Sequence, residues 1–380
     1  MKIGILTLPL HANYGGNLQA YALMKVIKDL GHEVFLIDRK RNRIPRFKAP
    51  LRILKKTLIK ELFKRGDIDQ YSEVKENFIN EIVATYALSF IEKYIEPKTE
   101  TFYTTKEMQK GIGKYQFDAI IVGSDQVWKP AYAANIYDYF LDFAKGLNVR
   151  KVAYAASFGG AEWTYSLEQT SFCSELLKEF DAVGVRESSA IELCNAKLNF
   201  NKALHVLDPT MLLEASDYIK LIEKHPIKKV ENGLLVYILD ETVETKRVVK
   251  ELSSAKNLKP FKVNSRINDK TLSVLDRVAP PIEDWLAGFY NADFIFADSF
   301  HACVFSIIFN KPFIAYGNKK RGLARFESLL NMFGLSERLI TDPKMISIDL
   351  INGEIDWSRV NEKLEAEKLN SIRFLEEALN

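Results

Sequence analysis

The sequence predicts an α/β protein, with parallel sheets covered by helices. Three observations predict it. The chain opens on a β-α-β unit, and short apolar runs then recur, each followed at once by glycine or polar residues. A second series of such runs begins near Glu231, behind a charged segment from Glu214 to Lys229 that contains Pro226 and lacks a clear strand. Parallel strands covered on both faces read as near-continuous apolar runs, and open α/β sheets hold ligands beyond their carboxyl ends. The repetition therefore predicts one cleft lined by several loops.

Lys2 to Leu8 is the first predicted strand. Asn13-Tyr14-Gly15-Gly16 makes a turn, and Leu18, Ala22, Val26 and Leu30 then recur every four residues as the inner face of a helix that stops at Gly31. Glu33 to Asp38 is the next strand. Residues 39–65 crowd Lys and Arg around Pro45 and Pro50, which predicts a solvated connection and a basic surface helix. Residues 66–115 read as mostly helical. Strands are then predicted at Phe117–Val122, Lys151–Ala156, Ala182–Val185 and His205–Leu207. They run into Gly123-Ser124-Asp125-Gln126, Ser157-Phe158-Gly159-Gly160, Arg186-Glu187 and Asp208-Pro209-Thr210 respectively. In the second series, Gly233–Leu239, Phe294–Ala297 and Phe313–Tyr316 are strands, and Asp298-Ser299-Phe300-His301 opens a helix through Ile308. Trp357, Val360, Leu364, Ile372 and Leu375 mark a long amphipathic helix. The expected layout is a domain over residues 1–215, a second over 230–345, and a terminal helix over 350–380 that packs back on the body.

With 47% hydrophobic residues in 380, the chain can bury a substantial core, which excludes a disordered or collagen-like protein. Lys and Arg number 53 against 50 Asp and Glu, a net charge of +3 that argues against a nucleic-acid binder. Cys173, Cys194 and Cys303 form no CxxC, so neither a disulfide framework nor a zinc ribbon is expected. No HExxH or clustered acidic triad predicts a metal site. The opening apolar run is too short for a secretion signal, and the best candidate span, Phe294 to Phe309, carries Asp298 and His301. A soluble cytoplasmic protein is expected.

Several residues carry possible chemistry. Gly15-Gly16 lies where backbone N–H groups meet an anion, and Asp38 where a dinucleotide fold keeps its ribose-binding acid. Asn-Tyr-Gly-Gly-Asn is not GxGxxG, however, so the turn reads as a tight turn or as a different anion or sugar site. His301 falls in the first turn of its helix, near the positive dipole end, which suits a general acid; the alternative is a helix start capped by Asp298 or Ser299 with His301 merely packed. Cys303 reads as a buried core thiol. Arg186 suits a carboxylate or phosphate, or else a salt bridge with Glu187 or another acid. Lys319, Lys320, Arg321 and Arg325 cluster past the Phe313 strand, as either a solvated loop or an anion contact. Trp128 and Tyr14 suit a sugar ring or the core.

In combination, and in this order, Asn13-Tyr14-Gly15-Gly16 with Gln19-Ala20, Val122-Gly123-Ser124-Asp125-Gln126-Val127-Trp128, Val185-Arg186-Glu187, Leu207-Asp208-Pro209-Thr210, Asp298-Ser299-Phe300-His301 and Arg321-Gly322 through Arg325-Phe326 resemble the polysaccharide pyruvyltransferase family. The resemblance runs from about residue 3 to residue 340. It implies two Rossmann-like domains facing a central cleft, similar to the GT-B glycosyltransferase fold. It implies an enzyme that moves pyruvate from phosphoenolpyruvate onto two hydroxyls of a sugar, forming a cyclic ketal and releasing phosphate, in cell-surface polysaccharide biosynthesis. By the same resemblance His301 is the general acid and a donor contact, and Arg186 binds the donor with Ser299, Lys319, Lys320 and Arg321. Asp125 serves as base or orients an acceptor hydroxyl. Asn13, Tyr14, Gly15, Gly16, Gln19, Ser124, Gln126 and Trp128 fall on the acceptor side. Phosphoenolpyruvate is a co-substrate and no cofactor is implied. The other expected partner is a sugar acceptor, free, nucleotide-linked or lipid-linked, with membrane contact at most peripheral, at the inner face through the basic 39–65 stretch. The sequence departs from some relatives at Tyr237-Ile238-Leu239-Asp240, where they carry a further arginine. The competing expectations are a GT-B glycosyltransferase using a nucleotide sugar and a non-catalytic sugar- or anion-binding relative.

Overall fold

The structure is a computed structural model that describes residues 1–41, 79–225, 230–317 and 322–380. Its first sheet contains β1 (Lys2–Leu6), β2 (Glu33–Leu36), β3 (Ala119–Val122), β4 (Arg150–Ala156), β5 (Ala182–Val185) and β6 (Leu204–His205). These pair in the order β2-β1-β3-β4-β5-β6, all parallel. The second sheet contains β7 (Gly233–Tyr237), β8 (Lys259–Phe261), β9 (Phe294–Ala297), β10 (Phe313–Tyr316) and β11 (Leu339–Ile340), parallel in the order β11-β10-β9-β7-β8. Two Rossmann-like halves, as the sequence predicts, thus face one another across a cleft. The strand core is fully buried apolar sequence, as in Ala119-Ile120-Ile121-Val122. β8 and β11 escaped the sequence reading.

Each sheet reverses direction once, and polar side chains pin each reversal. Between β1 and β3, Gln19 Nε2 donates to Thr7 Oγ1 (3.0 Å) and the Gly16 carbonyl (2.9 Å), while its Oε1 accepts from Ser124 N (3.0 Å). Between β7 and β9, Asp298 accepts from the amides of Leu239 (2.8 Å) and Asp240 (3.1 Å). Such reversals are the preferred ligand crevices of open α/β sheets.

Among the described residues the helices in chain order are α1 (Tyr14–Asp29), α2 (Thr85–Tyr94), α3 (Thr105–Gly111), α4 (Leu167–Leu177), α5 (Ser188–Leu198), α6 (Ala215–Ile222), α7 (Val243–Lys256), α8 (Ile282–Asn291), α9 (Phe300–Ile308), α10 (Leu323–Met332), α11 (Ile348–Asn352) and α12 (Trp357–Leu379). Helix α6 occupies the charged segment in which no strand was expected, held at its start by the Glu214 and Asp217 carboxylates. Its Tyr218 meets Phe305 of α9 edge-on at 4.9 Å, and one apolar cluster runs from Leu18, Leu207 and Met211 into Trp285 and Phe305. The back of the cleft is therefore a shared hydrophobic core. Arg39, at the start of the basic stretch, is buried and paired with Asp138 at 2.8 Å, so it belongs to the core rather than to a basic surface. Most of the remainder of 39–65 lies outside the described residues. Among the described residues no helix is long and apolar enough to cross a membrane.

Helix α12 returns to the first sheet. Its Ser371 Oγ accepts from Leu207 N at 3.0 Å, and Phe374 packs on Tyr154 with ring centroids 6.1 Å apart. Truncating a buried Phe removes apolar burial and leaves a cavity, so Phe374→Ala is expected to lose roughly 3 kcal/mol of stability. Urea unfolding followed by circular dichroism reads this; an unshifted midpoint would mean that the helix contributes little to the fold.

Candidate active site

The first sheet's strand ends converge on one buried carboxylate. Asp208 follows β6 and caps the Pro209–Leu212 turn, its Oδ1 accepting from Thr210 N (3.1 Å) and Thr210 Oγ1 (2.7 Å). Its Oδ2 lies 3.0 Å from Arg186 Nη1, 3.4 Å from Ser124 Oγ and 3.6 Å from His301 Nε2. Arg186, just past β5, also reaches Asp125 Oδ1 through Nη2 at 3.3 Å, and its Nε is 3.9 Å from Glu187 Oε2. Glu187 Oε1 in turn accepts from Ser157 Oγ (2.7 Å) and Phe158 N (3.2 Å), past β4. Asp125 holds a left-handed backbone, φ 69°, which Asp tolerates better than most residues.

His301 arrives from the second half, as the second residue of α9. Its ring lies directly over Gly15: a Cβ there would stand 2.1 Å from His301 Nδ1. Glycine is thus required at the start of α1 by the close approach of the other half. His301 is buried, and among the described residues its Nε2 has no hydrogen-bond partner, since 3.6 Å to Asp208 exceeds hydrogen-bond length. The guanidinium carbons of Arg186 and Arg325 lie 4.6 and 5.8 Å from the Phe300 ring centroid, within cation–π range.

Electrostatics follow from this packing. Burial alone would raise the Asp208 carboxyl, but His301, Arg186 and Thr210 outweigh it and hold Asp208 well below the ordinary carboxylate range. Asp125 is lowered in the same way, by Arg186, His301 and Arg325 against burial. Burial and the neighbouring Arg186 push Arg325 down to about 10, which leaves it charged at neutral pH. Burial raises the Cys303 thiol, as expected of a core cysteine, and pushes those of Cys173 and Cys194 up to about 12.

The predicted residues sort themselves. Asp125, Arg186, Ser124 and His301 come together. Gly15 is buried where the halves meet, Gly16 and Gln19 are buried within the first half, and Asn13 is exposed, its Oδ1 accepting from Gly16 N at 3.3 Å. Gln126 is half-buried beside Gly159. Ser299 occupies the cap position of α9 without a side-chain cap bond, and Asp298 spends its carboxylate on the β7 end instead. Two aromatic expectations are corrected. Trp128 is fully buried against Phe140 and Phe158 and donates its indole N–H to Tyr139, so it offers no face to a sugar. Tyr14 stacks on Trp285 at 5.6 Å and donates its hydroxyl to Pro280, tying the halves together. Arg186 is also corrected in part: its fork is occupied by Asp125 and Asp208, which is the salt-bridge alternative. Lys319, Lys320 and Arg321 lie outside the described residues. Asp208 lies within the motif Leu207-Asp208-Pro209-Thr210, and its central position carries no local signal in the sequence. Asp38 accepts from Thr101, which occupies the carboxylate expected of a ribose site.

The sequence model of the polysaccharide pyruvyl transferase family matches residues 13–320, a span that contains every residue of this constellation except Arg325. The chain belongs to the polysaccharide pyruvyl transferase family. Comparison with curated proteins returned no match. Among solved structures, this family member resembles the UDP-GlcNAc 2-epimerase from Neisseria meningitidis (TM-score 0.50, 11% identity, covering 100% of this chain and 99% of that one). It also resembles the UDP-N-acetylglucosamine 2-epimerase from Rickettsia bellii (0.52, 10%, 100% and 97%) and S. aureus MnaA, solved with UDP (0.52, 12%, 96% and 91%). At these identities the likeness concerns the fold: two Rossmann-like domains, as in GT-B proteins. Family membership makes this pyruvyl transferase relative a transferase acting on polysaccharide.

The cluster makes a pH prediction. The Asp208 carboxyl sits lower in the folded than in the unfolded chain, where it is about 3.9. Its stabilisation is therefore fully present above about pH 5 and lost as pH falls through the folded value. Asp208→Asn, which strips Arg186 of a buried partner, is expected to lose about 3–5 kcal/mol at pH 7. The gap to wild type should narrow below about pH 4. Urea unfolding at both pH values checks this, and a gap that stays constant would contradict it.

Proposed function

We propose that this protein transfers the pyruvyl group of phosphoenolpyruvate to two hydroxyls of a saccharide, closing a cyclic ketal and releasing phosphate, in cell-surface polysaccharide synthesis. One observation carries the reading. His301, from the second half, presents an unpartnered Nε2 within 3.6 Å of Asp208 on the first half, beside the start of a helix that no side chain caps. An enol phosphate requires a proton on its methylene carbon and an anion site close by. A helix start without a side-chain cap and a positioned imidazole supply both.

In this reading His301 delivers its Nε2 proton to the methylene carbon, which becomes the methyl group. The adjacent carbon, now oxocarbenium-like, takes the first sugar oxygen; its bond to the phosphate oxygen breaks, and the second sugar oxygen closes the ketal. Of the two hydroxyl protons, one restores His301 and one leaves with phosphate. Asp125, held ionised, orients an acceptor hydroxyl or takes its proton on the way to the phosphate. Arg186 holds both carboxylates in place and contributes its charge through them. The described cluster sets two guanidiniums against three acidic side chains, Asp125, Asp208 and Glu187. A multiply charged donor therefore needs further cations, and Lys319, Lys320 and Arg321 are the candidates, with Ser299 at the helix start. Asn13, Gly15, Gly16 and Gln126 border the acceptor side. The acceptor, nucleotide- or lipid-linked, would be modified in the cytoplasm or at the inner face of the membrane.

Incubation with phosphoenolpyruvate and a panel of UDP-sugars and lipid-linked saccharides is expected to release phosphate and add one pyruvate less one water to an acceptor. His301→Ala should lower that rate by about 10²–10⁴-fold, the usual contribution of a positioned acid. Near-normal turnover in that variant, or glycosyl transfer from a UDP-sugar alone, would overturn the assignment.

A further inference from the structure

Helix α5 begins two residues after Arg186, and its own half does not cap it. Glu187 occupies the cap position, but its carboxylate turns to Ser157 and Phe158 and makes no cap bond. The first helical N–H, that of Ser188, donates instead to Ser328 Oγ at 3.0 Å, on α10 of the other half. That hydroxyl also lies 3.4 Å from His205 Nε2, which is 2.9 Å from the Arg186 carbonyl. A carbonyl only accepts, so His205 carries its proton on Nε2 and donates it to Arg186. The Arg186 N–H is held within the sheet by the Ala156 carbonyl at 3.1 Å; the buried Ser328 hydroxyl meets the two groups that hold its carbonyl side, the helix start after it and the imidazole of His205.

Helix α10 is in register with this edge along its first two turns. Gly322, at φ 81°, packs so tightly on the Gly159 carbonyl that a Cβ would stand 2.0 Å from it. Arg325 lies over Phe300, and Ser328 follows one turn later. From these contacts we infer that Ser328 is a positioning residue for the reaction: by capping α5 across the cleft, it makes the placement of Arg186, and through it of Asp125 and Asp208, depend on the other half being seated. The effect on turnover rests on the reaction proposed above; the capping itself does not.

Hydrogen exchange of the full-length protein, read at residues 186–190, tests the cap without any substrate. Ser328→Ala should exchange faster there and unchanged at 119–122, while Ser328→Thr, which keeps the hydroxyl, should restore protection. With phosphoenolpyruvate and an accepted saccharide, the Ala variant should lose roughly five- to tenfold in kcat, as expected for one cap bond, with the Thr variant rescuing it. A purely structural serine would lower the melting temperature without that kcat loss and rescue. Unchanged exchange at 186–190, or full kcat despite lost protection, overturns the inference. If the wild-type protein turns over no phosphoenolpyruvate, the failure belongs to the reaction, and exchange at 186–190 still decides the cap.

Discussion

The ion pair between Arg186 and Asp208 is the contact on which the site depends. Both side chains are almost wholly removed from water, and a buried pair of this kind is stable only when its remaining polar atoms also find partners. Thr210 takes one carboxylate oxygen, while Ser124, Arg186 and His301 surround the other. Removing any one charge would leave another uncompensated in a low-dielectric interior. The pair therefore fixes the ends of β5 and β6 relative to the loop after β3, and gives His301 a carboxylate to face.

The two halves meet in two chemically different ways. Behind the cleft they share apolar packing: Tyr218 on Phe305, and Tyr14 on Trp285. In front they meet through close backbone approaches, Gly15 under the His301 ring and Gly322 on Gly159. Apolar packing is nondirectional and supplies cohesion. The glycine contacts are specific, because neither position accommodates a side chain, and they bring a helix start of one half within reach of the carboxylates of the other.

Much of this was legible in the sequence because both sheets are parallel and covered on both faces. Their central strands are unbroken apolar runs, and the chemistry sits immediately after them, as at Asp125, Arg186 and His301. β8 was not legible: Lys259-Pro260-Phe261 is a short strand at a sheet edge, where proline is tolerated and burial is slight. β11, two residues long, carries no periodicity at all. Asp208 was visible as a motif and not as a centre, since three of its contacts, Ser124, Arg186 and His301, come from distant segments. Trp128 and Tyr14 misled in the opposite sense. An aromatic residue near a strand end serves a sugar or the core equally well, and only packing decides between them. At Arg186 the sequence leaves an anion contact and a salt bridge open, and its three acidic neighbours decide for the salt bridge.

The proposed reaction requires that the cleft beside His301 take phosphoenolpyruvate. Its thermal stabilisation of the protein tests this most directly, since a ligand that binds only the folded state must raise the midpoint once its concentration passes its dissociation constant. The account predicts a midpoint that climbs steadily with phosphoenolpyruvate, a shift abolished in His301→Ala, and no response to NAD. A midpoint that ignores phosphoenolpyruvate and rises with UDP or a UDP-sugar would contradict it and favour a nucleotide-sugar enzyme built on the same two halves.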